Sequence, residues 1–168
     1  DAINLATVGD SVWVAAGTYL PTAFPPTTTT SLPTRAKTIF VTDGVKLYGG
    51  FNGTETNFSQ RNIVANITTL SGDFANNDLV TGAGSTLVIT GNSENAYHVV
   101  LAVAPTTGGI GVVIDGLKIV GGNANTVFNI VINDISIPSN SGGGIFCTNG
   151  INVISNDSVI GNSSPGYI

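Results

Sequence analysis

Apolar residues along this chain fall in short runs, at 12–15, 38–42, 45–51, 67–70, 87–90, 97–103, 112–120, 128–137, 144–147 and 151–160. Each run is rich in Val, Ile, Thr or aromatic side chains, and Gly, Asn, Asp or Ser punctuates them. The pattern predicts strands. The first ten residues differ: Ala2, Ile3, Leu5 and Ala6 stand at roughly helical spacing ahead of Gly9, as in the last turns of an amphipathic helix.

The runs also repeat one another. With "GLKIVGGNA" (116–124) set beside "NDSVIGNSS" (156–164), Ile119 matches Val159, Val120 matches Ile160 and Gly121 matches Gly161. "AYHVV" and "GGGIF" read as a second equivalent pair. The turn candidates Asp43-Gly44 and Asn149-Gly150 sit between segments that share this wording, which argues against a hairpin-linked sandwich. No single copy can bury its apolar face, whereas copies stacked in parallel about 4.8 Å apart can. A parallel β-helix is therefore expected, with Gly and Asn at corners where left-handed backbone is needed. Its alignment points Leu117 and Ile119 inward and Lys118 outward, and sets Asp157 opposite Leu117 at an awkward inward position. Residues 20–37, broken by Pro21, Pro25, Pro26 and Pro33, and residues 123–140 are expected to leave the wall as loops.

In order, "GDSVWVAAGTYLPT", "DGVKLYGGFNGTETNFSQRN", "TTLSGD", "NAYHVV", "IDGLKIVGGNAN" and "GGGIFC" resemble the N-terminal region of right-handed parallel β-helix proteins secreted by Bacteroidetes. These are often described as pectate-lyase-like or polymorphic-outer-membrane-protein-like. The resemblance implies an all-β, right-handed parallel β-helix with an N-terminal helical cap. Residues 1–10 would end the cap and 11–168 would form coils of a single domain continuing beyond Ile168. It also implies an extracellular or cell-surface protein exported by the type IX system and acting as an adhesin or structural stalk. Its partners would be glycans or cell surfaces, further coils of the same chain, and the secretion or outer-membrane assembly machinery. Other members of the same superfold are polysaccharide lyases and hydrolases, so the fold does not assign activity. Here a carbohydrate-active enzyme with its site in later coils is the alternative.

Composition narrows the field. Charged residues make up 9% of the 168, against about 25% in an ordinary globular chain, and the formal net charge is -5. Arg35, Lys37, Lys46, Arg61 and Lys118 form no dense basic run, which argues against nucleic-acid binding. No apolar run approaches the roughly 20 residues that cross a bilayer. The single cysteine, Cys147, reads as a buried strand thiol.

Chemistry is sparse. A lyase needs a Lys or Arg base, with acids that hold calcium against a uronate. The candidates are Lys46 and Lys118 with Asp73, Asp78 and Asp115, of which Asp73 and Asp78 are the calcium candidates, but the sequence does not group them. A hydrolase needs two carboxylates about 5 to 10 Å apart, and no local pair is evident. Catalytic residues and cofactors are accordingly expected to be none. His98 reads as a strand-surface or corner residue, and Trp13 as packing under the cap or as a sugar platform. The threonines of 27–30 lie in a proline-broken loop rather than in the flat ranks that ice binding requires. Asn52, Asn57, Asn66 and Asn162 match the N-glycosylation pattern, which arises by chance in such chains. "DSV" at 10–12 and 157–159 resembles the O-glycosylation sequence of Bacteroidetes, which would mark Ser11 and Ser158.

Overall fold

The computed structural model describes residues 2–83 and 86–164. The expected helix end begins at Asp1 and the expected continuation follows Ile168, and both positions lie outside the described residues. A first pass of the chain lays down Ser11–Ala15 (β1), Gly17–Tyr19 (β2) and Ile39–Phe40 (β3). A second gives Lys46–Phe51 (β4), Thr68–Ser71 (β5), the pair Leu79–Thr81 (β6) and Val88–Thr90 (β7), and Val100–Val103 (β8). A third gives Val113–Asp115 (β9), Lys118–Val120 (β10), the pair Asn129–Ile132 (β11) and Ile135–Pro138 (β12), and Ile145–Thr148 (β13). Val153–Ser155 (β14) and Ser158–Val159 (β15) follow.

The protein is all-β, with several parallel sheets. The first sheet has the order β1-β4-β9-β14, the second β2-β5-β10-β15 and the third β3-β8-β13. All their pairings are parallel, so each strand lies beside its counterpart from another pass. Lys118 pairs with Thr69 and Ser158, and Ile119 with Leu70 and Val159, as the repeat alignment requires. Neither Asp43-Gly44 nor Asn149-Gly150 joins a hairpin, since the strands on either side of each belong to different sheets.

Register stacks like on like in the core. Leu47 lies against Ile114 and Leu70 against Ile119, and all four are buried with Val41, Val45, Val99, Val100 and Leu117. Small corner residues let the passes approach. Gly116 turns β9 into β10 with φ of 72°, and a Cβ there would lie 1.9 Å from Nη2 of Arg61.

The third sheet is buried on both faces, which is why β8 reads as an unbroken apolar run. Val100 and Ala102 face the inner cluster, while Leu101 and Val103 pack with Ala36, Tyr97, Ile130, Ile132 and Ile137 in an outer one. The excursions supply that cover. Thr28 N–H donates to Val131 O, and Val131 N–H to Thr29 Oγ1, which joins the proline-rich loop to β11. Arg35 donates from Nε to Asn95 O (2.6 Å) and from Nη2 to Asn123 O (2.7 Å), lying over the Tyr97 ring at 4.4 Å. The guanidinium thus ties the first excursion to the two later passes.

Two expectations change. Within the stretch 123–140, expected as a plain loop, residues 129–138 fold back as the β11–β12 hairpin, and Asn123 still bridges Ser163 in parallel. Asn133 and Asp134 turn it, with φ of 51° and 61°, the left-handed pair that a two-residue hairpin loop prefers. At the N-terminus the described residues form one 3-10 turn, Ala2–Asn4, with no buried residue, rather than the last turns of an α-helix. The Asp10 carboxylate takes the N–H and hydroxyl of Thr7 and closes the chain into β1. Ile3 and Ala6 still pack on the inner cluster, so the apolar spacing is used without a helix, while Leu5 is 81% exposed.

Ile119→Ala removes a fully buried stack residue and is expected to cost about 2–5 kcal/mol in urea unfolding. Val127→Ala, at an exposed position, should stay within about 0.5 kcal/mol of the parent.

Candidate ligand-binding groove

Alternation along β10 buries Leu117 and Ile119 and turns Lys118 outward. In-register pairing then lines Thr18, Thr69, Lys118 and Ser158 into one column across the second sheet. Ser71 and Val120 begin a parallel column. Just past β5, the Asp73 carboxylate accepts the N–H groups of Asn77 (3.2 Å) and Asp78 (3.0 Å), folding 73–78 into a turn beside these columns. The β6–β7 hairpin rises from that turn and brings Val80 and Leu87 alongside. Floor, turn and hairpin enclose a groove of about 890 Å³.

The groove carries both signs of charge. Among the described residues, the Lys118 ammonium has no ion-pair or hydrogen-bond partner. Oδ2 of Asp78 accepts from Asn95 Nδ2 at 2.7 Å, and its Oδ1 is buried without a protein partner. Burial, reinforced by Asp73 and Glu94, raises the Asp78 carboxyl above its ordinary value despite the Asn95 bond. Asp73 is occupied by backbone donors, and among the described residues no group of three or more His, Cys, Asp or Glu side chains is placed to hold a metal. The calcium candidates Asp73 and Asp78 thus share the groove wall with hydrogen bonds already assigned to most of their oxygens.

No family model, curated protein or solved structure matches this chain.

The structure brings Lys118, Asp73 and Asp78 to one groove, which the sequence did not reveal because the turn at 73–78 folds back on the wall. It separates the other candidates. Lys46 lies on the first sheet, in register with Ser11 and Val113. Asp115 is at the corner between the first and second sheets, in an ion pair with Arg61, whose Nη2 also donates to Asp115 O. Burial pushes the Asp115 carboxyl up, but bonds from Ser155 Oγ (2.5 Å), Arg61 and Asn156 outweigh it and hold it low. His98, expected at a strand surface or corner, is instead buried against Phe146 with Nδ1 on Gly142 O, and burial lowers its pKa. Burial pushes the half-buried Cys147 thiol up to about 11, which disfavours the reactive thiolate.

Trp13 does not pack under an N-terminal cap. It faces outward from the first sheet, pairs in register with Tyr48 and stacks on Phe51 with centroids 4.8 Å apart. It remains 40% exposed beside Phe58. Ser11 and Ser158 are both exposed, and each pairs in register with a lysine, Lys46 and Lys118. Asn162 is half-buried and structural in its bonding: Oδ1 takes Gly122 N–H, and Nδ2 donates to Ile119 O.

Asp157 resolves the awkward alignment. Its Oδ1 accepts the N–H of Leu117 at 2.7 Å, so the side chain serves the neighbouring pass instead of entering the core. Its Oδ2 is buried without a hydrogen-bond partner among the described residues. Burial, with Asp115 nearby, raises the carboxyl to about 6, more than the Leu117 bond and Arg61 lower it. A folded value above the unfolded one means the folded state holds the proton more tightly, so this contribution is present below about pH 4 and is lost as pH rises to about 6. Asp157→Asn keeps the Oδ1 acceptor and is expected to raise stability by about 1–2 kcal/mol at pH 7.5, with little change at pH 4. Thermal unfolding at the two pH values checks this.

Proposed function

We propose that this chain is a stretch of right-handed parallel β-helix from an extracellular or cell-surface bacterial protein, exported by the type IX system. In this reading it acts without catalysis as an adhesin-like or stalk region. The observation that carries it is the outward column Thr18, Thr69, Lys118 and Ser158 on the second sheet. Hydroxyls repeated at the strand spacing make weak contacts at many points, which sum to useful avidity on a glycan-covered surface. The same sequence of sheets visited on each pass is what a solenoid of stacked copies would give. Ser11 and Ser158, exposed on outer walls, would have room for O-linked glycans.

A carbohydrate-active enzyme is the second reading, and the shared placement of Lys118, Asp73 and Asp78 favours it. Against it, Asp73 already accepts two backbone bonds, and the outer face of the third sheet is filled by side chains rather than open to a polymer.

The test presents soluble protein with a glycan array and with uronate polymers, in calcium and in chelator, reading binding and ultraviolet-absorbing unsaturated product together. Binding without product, indifferent to chelation, is expected. Product formation would overturn the non-catalytic reading, and an absence of glycan binding would leave a purely structural stalk.

A further inference from the structure

We propose that the groove over the second sheet binds a largely neutral glycan carrying an isolated carboxylated sugar, with the carboxylate on Lys118, and that it rejects polyuronates. This deepens the adhesin reading and rests on it.

The first argument is charge placement. Lys118 lies in the middle of its column, between Thr69 and Ser158, and has no partner among the described residues. An ammonium on a hydroxyl-lined floor suits one carboxylate, which would gain a charge-assisted hydrogen bond with further donors from the threonines. The rim has the opposite sign, with Asp73 and Asp78 on the turn beside the floor. A polymer charged on every sugar would bring carboxylates against that rim, whereas neutral sugars flanking a single acid would offer hydroxyl donors there.

Shape supplies the second argument. Val80 and Leu87 of the hairpin are 46% and 44% exposed, and Val159 and Ile160 line the opposite part of the groove. These apolar groups beside a polar floor match a pyranose, whose hydroxyls lie around its edge and whose C–H groups cover its faces. Among the described residues β6 and β7 pair only with each other, and Val80 and Leu87 stay about half exposed.

Isothermal titration of the whole chain against lactose, 3′-sialyllactose and polygalacturonate separates the possibilities. Sialyllactose should bind roughly ten-fold more tightly than lactose. Lys118→Met should erase that difference while leaving the melting temperature in place. Polygalacturonate should not bind the parent, and Asp78→Asn should make it a better ligand. Equal affinity for lactose and 3′-sialyllactose, a Lys118→Met variant that keeps the preference, or polygalacturonate as the strongest ligand would each overturn the proposal. If a glycan binds without dependence on Lys118, this assignment fails and the adhesin reading stands. If none of the three binds and a broad array is also silent, the adhesin reading itself fails.

Discussion

Everything in this fold depends on satisfying backbone donors at its corners. Parallel pairing takes care of the strand N–H groups, but where the chain turns between sheets the ladder is interrupted, and an unpaired buried N–H is costly. Side chains from a neighbouring pass close the gap. Asp43 accepts from Ile110 and Gly111, Asn152 from Val112, Asp157 from Leu117 and Asn162 from Gly122. These short acceptors explain why a chain with so few charges spends its Asp and Asn residues at turns. Asp157 shows the cost, because the geometry that delivers Oδ1 to Leu117 leaves Oδ2 buried and close to the charge of Asp115.

The stacked apolar runs follow from the same constraint. Once corners fix the register, Leu70 must meet Ile119, and Leu47 must meet Ile114. The third sheet departs from a one-sided wall only because the excursions bring a second apolar layer to it. Arg35 and the threonines of the proline-rich loop hold that layer in place with bonds to backbone rather than to charged partners.

Most strands and the register of β10 on β15 were legible because they depend on local composition and on a repeat within the chain, Ile119 against Val159 and Gly121 against Gly161. Gly17–Tyr19 and Leu79–Thr81 were missed because neither lies in an apolar run, and the runs 112–120 and 151–160 each hide a corner between two strands. The hairpin at 129–138 was less legible, since Asn133-Asp134 is a weaker turn signal than Asn-Gly and its flanking apolar residues read as one run. The groove was illegible for a different reason. Asp73, Asp78, Val80, Leu87 and Lys118 come together only through the fold-back of the turn at 73–78 and of β6 and β7 onto the four-stranded second sheet. The role of Arg61 was equally hidden, because its carbonyl acceptors, Gly49 and Asp115, carry no side-chain signature.

Five side-chain contacts span the same 40 residues: Val112 to Asn152, Asp115 to Ser155, Leu117 to Asp157, Gly122 to Asn162 and Asn123 to Ser163. They act as a ruler. An insertion between 115 and 123 would throw every later contact out of step at once, whereas added residues between 124 and 143 enlarge only the excursion. The chain therefore has places where length is free to drift and places where it is locked, and novelty in this protein can accumulate on its flank without disturbing the count that holds the wall together.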